Sequence, residues 1–257
     1  MNNARRPVRS IDGLTDSART ALAGKRIFFG HQSVGANIMQ GVADLVAADP
    51  RLALRVLGPG EIGPASGGFF AHGQVGANGA PSSKTDDFAK QMAEGLGSRV
   101  DIAFHKYCYI DFPEGTDPEK IFGHYRDTMA RLRTQYPAVT FVHVTVPVTV
   151  VQTGPKAVVK RMLGRAPGGY ADNIRREQFN ALMRREYAER EPLFDLAAIE
   201  STDAEGTQQR FEFNGQSGLA LFPPYASDGR HLGELGRRRV AEELLVLLAS
   251  ISRGGAR

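Results

Sequence analysis

Three side chains in this 257-residue sequence have the types needed for nucleophilic chemistry through a hydroxyl, and they stand at its two ends. Asp228 precedes His231 by three residues in the segment Tyr225-Ala-Ser-Asp-Gly-Arg-His-Leu-Gly-Glu-Leu-Gly236. In a turn, that spacing lets a carboxylate bond the imidazole, fix its tautomer and stabilise the imidazolium that forms when the ring takes a proton. Ser33 lies in Phe29-Gly-His-Gln-Ser-Val-Gly-Ala36, where a short apolar run gives way to a stretch with helical spacing. A serine hydroxyl is a poor nucleophile until a positioned base removes its proton, and a helix N-terminus beside it favours developing negative charge. Each feature also has a plain alternative. Ser33 can serve only as an N-cap, and its Gly-containing turn can cradle a phosphate, although it lacks the lysine of a P-loop and a full Gly-x-Gly-x-x-Gly. Asp228-Gly229 can be an ordinary surface turn, with His231 capping the following helix.

The elements that must position these residues alternate along the chain. Residues 26–29, 52–57, 100–104, 140–146 and 193–196 read as short strands, the fourth a β-branched run suited to a buried parallel strand. Residues 36–48, 84–96, 117–135, 171–189 and 232–250 read as helices. A Gly-rich segment over residues 58–83 reads as a long functional loop. Five alternations without an internal repeat predict a three-layer α/β/α domain with a five-stranded parallel sheet. In that arrangement Ser33 and the Asp228–His231 turn share the C-terminal edge of the strands, where such folds bind ligands. We read residues 1–24 as an N-terminal extension and 25–252 as one domain.

At this point the sequence resembles a known family. The strand–Gly–x–x–Ser turn at Ser33 and the block Asp228-Gly-Arg-His231, with Gly236 five residues on and Ala241 five beyond, are similar to the first and last blocks of SGNH (GDSL-like) hydrolases. The resemblance implies a flavodoxin-like sheet with Ser33 as nucleophile, His231 as general base and Asp228 as the acid that orients it. It also implies an oxyanion hole from the Ser33 N–H and a glycine N–H, for which Gly79 in Val75-Gly-Ala-Asn-Gly79 is the best match and Gly76 the rival. The sequence departs from the pattern in two places. Gly-Asp-Ser becomes Gly30-His-Gln-Ser33, and the Gly-x-Asn-Asp block becomes Cys108-Tyr-Ile-Asp111, without the amide that usually faces the oxyanion. Asn78 is the expected replacement donor and Lys106 the second candidate. Lys106, Tyr109 and His72 are expected to line the substrate site. The implied activity is that of a serine esterase, with an O-acetyl group on a saccharide as one substrate class. The alternatives are an acyltransferase with the same triad and a non-catalytic carbohydrate- or partner-binding domain.

Composition sets the outer bounds. Apolar residues at 42% and charged residues at 23% are those of a globular chain with an ordinary core. The net charge of +4 comes from short clusters without interleaved aromatics, which is not the pattern of a nucleic-acid surface. One cysteine, Cys108, excludes an intrachain disulfide, and no Cys/His spacing suits zinc, so no metal or organic cofactor is expected. Cys108 reads as a small apolar residue and His143 as a core histidine. No stretch approaches the ~20 apolar residues of a membrane span, and residues 1–13 do not read as a secretory signal, so the expected location is cytoplasmic, or periplasmic or secreted if a signal was removed. The basic segment Lys156 to Arg165 follows the fourth strand as a lid over the site, a feature that attracts anions, or a solvated insertion.

Overall fold

Arg26-Ile-Phe-Phe-Gly-His31 puts alternate aromatics on opposite faces of one strand, and both faces are covered. Ile27 and Phe29 enter one core cluster and Phe28 the other. The computed structural model describes residues 6–62, 67–163 and 167–254. In chain order it contains α1 (Asp16–Ala23), β1 (Arg26–His31), α2 (Val34–Ala48), β2 (Val56–Leu57), β3 (Phe69–Gln74), α3 (Pro81–Ala93), β4 (Ile102–His105) and α4 (Pro118–Gln135). Then come β5 (Thr140–Phe141), β6 (His143–Val144), α5 (Pro155–Met162), α6 (Tyr170–Tyr187), β7 (Leu193–Phe194), α7 (Leu196–Glu200), β8 (Arg210–Phe213), β9 (Gln216–Leu219) and α8 (Glu234–Gly254).

The main sheet has the order β2-β3-β1-β4-β5, and every pair in it is parallel. The expected strand at 140–146 is one buried segment that changes partner. Val142 donates to Ala103 of β4 at 3.1 Å, whereas His143 and Thr145 donate to Pro192 and Phe194 beside and within β7. β6 and β7 form a separate two-stranded parallel sheet beyond β5. Helices α1, α2 and α8 cover one face, and α3, α4 and α6 the other, giving the expected three layers.

Two sequence expectations are corrected here. The strand at 52–57 shrinks to Val56–Leu57, because Pro50–Leu52 forms a 3-10 turn capped by Asp49 and Ala53 is left-handed. The segment read as one long loop at 58–83 holds β3, a central strand between β2 and β1. Phe69, Phe70 and Ala71 supply its buried residues, and the glycines on either side mask so short an apolar run. The antiparallel hairpin β8–β9 is a further element without a strong sequence signal. Residues 6–24 lie against the domain: Arg9 N–H donates to Glu243, Arg239 to the Arg9 carbonyl, and Arg19 bridges the Ile11 carbonyl and Asp49.

From Val146 on, the buried chain has no continuous strand partner, and side chains satisfy much of its backbone, with the Leu221 N–H donating to the Thr149 carbonyl. Asn180 exchanges two hydrogen bonds with Val146, at 2.7 and 3.0 Å, and Asn173 does the same with Thr149, at 3.0 and 2.7 Å. Between them the Val148 N–H donates to the carboxyl of Glu200, which is fully buried. Burial raises the Glu200 pKa to about 8. A carboxyl raised in the folded state contributes its stability below the unfolded pKa and loses it as pH climbs through the folded one. Glu200→Gln keeps the acceptor and removes the ionisation. It should leave urea stability nearly unchanged at about pH 4 and raise it increasingly toward about pH 8.5, there by on the order of 2–4 kcal/mol. A pH-independent difference between the two proteins contradicts this account.

Candidate functional site

β1 ends against the sheet's C-terminal edge, and the turn into α2 forces Ser33 to φ 52°, ψ −113°. A non-glycine residue held at positive φ is strained, and a strand-to-helix turn of this kind presents its side chain outward at the edge. The Gln32 side-chain amide braces the turn by donating to the carbonyls of Val75 (2.9 Å) and Gly76. Ser33 occupies the N-cap position of α2 but its hydroxyl makes no capping hydrogen bond. It meets His231 Nε2 instead, at 2.8 Å.

The His231 turn reaches Ser33 because α8 packs tightly on α2. A Cβ at Gly41 of α2 would lie 2.4 Å from the Arg237 carbonyl, and one at Gly236 would lie 2.4 Å from the Tyr225 carbonyl. Asn37 of α2 accepts from the Leu232 N–H. Within the turn, Asp228 Oδ2 accepts from His231 Nδ1 at 2.7 Å, while Oδ1 accepts the backbone N–H groups of His231 and Arg230. The imidazole hydrogen bond, then those two N–H groups, hold the Asp228 carboxyl well below the usual carboxylate range despite its exposure. Ser33, His231 and Asp228 thus form one hydrogen-bonded line, with a nitrogen placed to take the serine proton and a carboxylate placed to hold the ring. Tyr109 packs edge-on against His231, its hydroxyl 3.4 Å from Nε2. Arg176 stacks over the Tyr109 ring and donates to the Tyr109 carbonyl.

The surrounding residues depart from expectation. The Gly79 N–H is not free for an oxyanion: it donates to Asp111 Oδ1 at 2.8 Å. Asp111 is buried, pairs with Lys84 at 2.5 Å and accepts from the Cys108 N–H. Lys84 also donates to Asn78 Oδ1 at 2.9 Å. An ammonium can only donate, so this contact fixes the Asn78 amide with its NH₂ turned the other way. Asn78 is exposed, and neither its NH₂ nor the Ser33 N–H has an acceptor among the described residues. Lys106 is not a substrate-facing group. It is fully buried, donates to the Tyr107 carbonyl and Cys108 Sγ, and burial lowers its pKa. His72 pairs with His31 at 3.0 Å and borders a different cleft, with Pro59, Gln74 and Arg99. Burial pushes the His31 pKa down to about 3, so the ring stays neutral.

Lys84 is the residue that sequence reasoning missed. Its one signal is a cation in the first turn of a helix, where the dipole disfavours it. Arg176 gave none, since α6 carries several arginines that periodicity alone does not separate. Next to Asp228 a cleft of about 430 Å³ opens, bordered by Tyr109, Val150, Gln152, Arg176, Gly229 and Arg230 among others. The Val150 N–H donates to the Gly229 carbonyl and ties the cleft wall to the His231 turn. Among the described residues no group of His, Cys, Asp and Glu side chains could hold a metal ion.

The fold has relatives among solved structures. A chain described as a GDSL-like lipase from Parabacteroides merdae is similar at a TM-score of 0.52 and 10% identity, over 88% of this chain and 95% of that one. A carbohydrate esterase family 3 structure from Talaromyces cellulolyticus is similar at 0.50 and 12% identity, over 89% and 97%. At such identities the likeness is one of fold: a parallel α/β sheet of the SGNH-hydrolase type. No family model matches the sequence, and no curated protein matches it.

Losing one partner of the buried Lys84–Asp111 pair strands a charge in the interior, which costs about 3–5 kcal/mol. Asp111→Asn should lower stability in chemical denaturation by that order, and by far more than Asp86→Asn, whose ion pair is exposed. Equal small effects from the two substitutions would show that the pair is not the tie it resembles.

Proposed function

We propose that this protein is a carboxylic ester hydrolase that works through an acyl-enzyme intermediate on Ser33. The observation that carries the reading is the line Ser33 Oγ–His231 Nε2 (2.8 Å) and His231 Nδ1–Asp228 Oδ2 (2.7 Å), assembled from opposite ends of the chain at a strained strand-to-helix turn. Ser33 Oγ attacks the ester carbonyl while His231 Nε2 takes its proton. Asp228 holds the Nδ1–H and stabilises the imidazolium. The same ring then protonates the departing alkoxide, leaving acyl-Ser33, and water activated by His231 releases the acid in the reverse sequence.

The tetrahedral oxyanion is stabilised by the Ser33 N–H, at the N-terminal end of α2, and by the Asn78 amide. The buried Lys84 holds that amide from behind, so the donor is preorganised although Gly79 is otherwise engaged. The cleft beside Asp228 receives the rest of the substrate, with the Tyr109 ring and the Arg176 and Arg230 guanidiniums at its walls. We propose short acyl esters, O-acetyl groups on saccharides among them, as the substrates; the fold likeness to a carbohydrate esterase supports that choice.

Hydrolysis of p-nitrophenyl acetate is the direct test. Ser33→Ala should lower kcat by roughly 10³-fold or more and abolish acylation by a fluorophosphonate probe. Asp228→Asn should lower kcat by about 10²–10⁴-fold, because the ring loses the carboxylate that fixes its tautomer. Since Asp228 is held below the usual carboxylate range, its own ionisation should leave no break in the wild-type pH–rate profile above about pH 5. Turnover by Ser33→Ala equal to that of the wild type overturns the proposal. Product analysis with an acceptor sugar separates hydrolysis from acyl transfer.

A further inference from the structure

α5 is amphipathic in the wrong direction for a helix of a closed domain. Its inward-facing Ala157 is buried, whereas Val158, Val159, Met162 and Leu163, at the end of and just after α5, are exposed at 52%, 54%, 82% and 67%. At 100° per residue these four fall on one arc opposite Ala157, as spacings of one, four and five residues require. Elsewhere among the described residues, large exposed apolar side chains are single, at Val8, Ile110 and Leu235. Scattered exposed apolar residues are ordinary; a contiguous row of them marks a surface with a partner.

Charge distinguishes the kind of partner. Lys156 and Lys160 flank the apolar arc on one side, one turn apart, and from residue 151 to residue 171 the sequence contains four basic residues and no acidic one. Arg165 lies outside the described residues. The apolar arc is wholly aliphatic and thioether, without the Tyr, Trp or Arg anchors that concentrate binding energy at protein interfaces. A short helix with an aliphatic face and a lysine border suits a surface with acyl chains below and anionic headgroups at its edge.

Position gives the helix a purpose. Gln152 and Gly168, on either side of the α5 segment, both border the cleft beside Asp228, and Lys160 donates to Gln152 Oε1 at 2.9 Å. Ile110, half exposed, borders the same cleft. We infer that α5 is a docking helix for an anionic lipid surface and holds the cleft mouth against that surface. Docking itself is independent of Ser33 chemistry. Its consequence, that the substrates are esters carried by surface-bound amphiphiles, rests on the function proposed above.

The experiment is co-sedimentation of the whole protein with vesicles of phosphatidylcholine alone and with 30% phosphatidylglycerol, a composition of about the charge at which juxtamembrane lysines bind. Wild type should bind the anionic vesicles and release from them in high salt. Val159→Asp/Met162→Asp should lose at least about tenfold in partitioning, and Lys156→Gln several-fold, in line with the worth of one cation at such a surface. Both variants should hydrolyse soluble p-nitrophenyl acetate at the wild-type rate, since none of these residues belongs to the site. Absence of binding to anionic vesicles overturns the inference, as does equal binding to neutral ones. So does concentration-dependent self-association that the same double substitution abolishes, which assigns the face to a second copy. A docking protein whose Ser33→Ala variant keeps full turnover keeps this inference and loses the hydrolytic one.

Discussion

The site depends on how closely α8 can approach α2. Ser33 and His231 are 198 residues apart, and the packing of the last helix on the first helix of the sheet brings their turns together. Gly41 sets that distance: any side chain there would meet the Arg237 backbone, and the His231 turn would move away from Ser33. Gly236 does the same between α8 and the Tyr225 turn. Catalytic hydrogen bonds tolerate displacements of only a few tenths of an ångström, so two absent side chains have as much influence on the geometry as the polar residues that occupy it.

The second constraint is the buried charge behind the loop of Asn78 and Gly79. The resemblance to SGNH hydrolases called for a glycine N–H and an asparagine after the third strand. This chain has neither group free in those places. Asp111 occupies the Gly79 N–H, and Cys108 fills the position where a glycine was expected, its Sγ 3.5 Å from the Gln32 carbonyl. In compensation a fully buried lysine reaches from α3 to Asp111 and Asn78 together. Isolated, a buried ammonium would be prohibitive; paired with Asp111 and hydrogen-bonded to Asn78, it becomes a rigid strut between two loops. The Asn78 amide is thus held from behind by Lys84, and the tie between the two loops is electrostatic.

What the sequence made legible divides along the range of the interactions. The Asp228–His231 pair lies within one turn, so its spacing allowed the carboxylate–imidazole contact, and its combination with Ser33 distinguished it from an ordinary Asp-Gly turn. Helices α2 and α8 were readable from their apolar periodicity, α4 from its Asp117-Pro118 start and α6 from its long charged run. β3 was not, since six residues framed by glycine are too short to show a period, and a central strand buried on both faces does not alternate. The roles of Gly79 and Lys106 were misjudged for another reason. Sequence position indicates which loop a residue is on, whereas whether its N–H or ammonium is free depends on partners 32 residues away, in the case of Gly79 and Asp111, or on complete burial, in the case of Lys106.

The segment after β6 is held differently from the sheet it leaves. Its backbone is held by side chains, Asn173, Asn180 and Glu200, and not by a neighbouring strand. A strand ladder would impose its register on every residue, but here side chains hold residues 146, 148 and 149, and single backbone bonds from Val150 to Gly229 and from Gln152 to Gly168 close the base of an insertion. That insertion is α5, and the wall from which it departs is bonded through Val150 to Gly229, next to Asp228. The cleft, its rim and Asp228 are therefore mechanically continuous, whereas Ser33 and Asn78 are anchored in β1, α2 and the Lys84 strut. Changes in the length or polarity of α5 act on the cleft rim first, and reach Ser33 only through the His231 hydrogen bond.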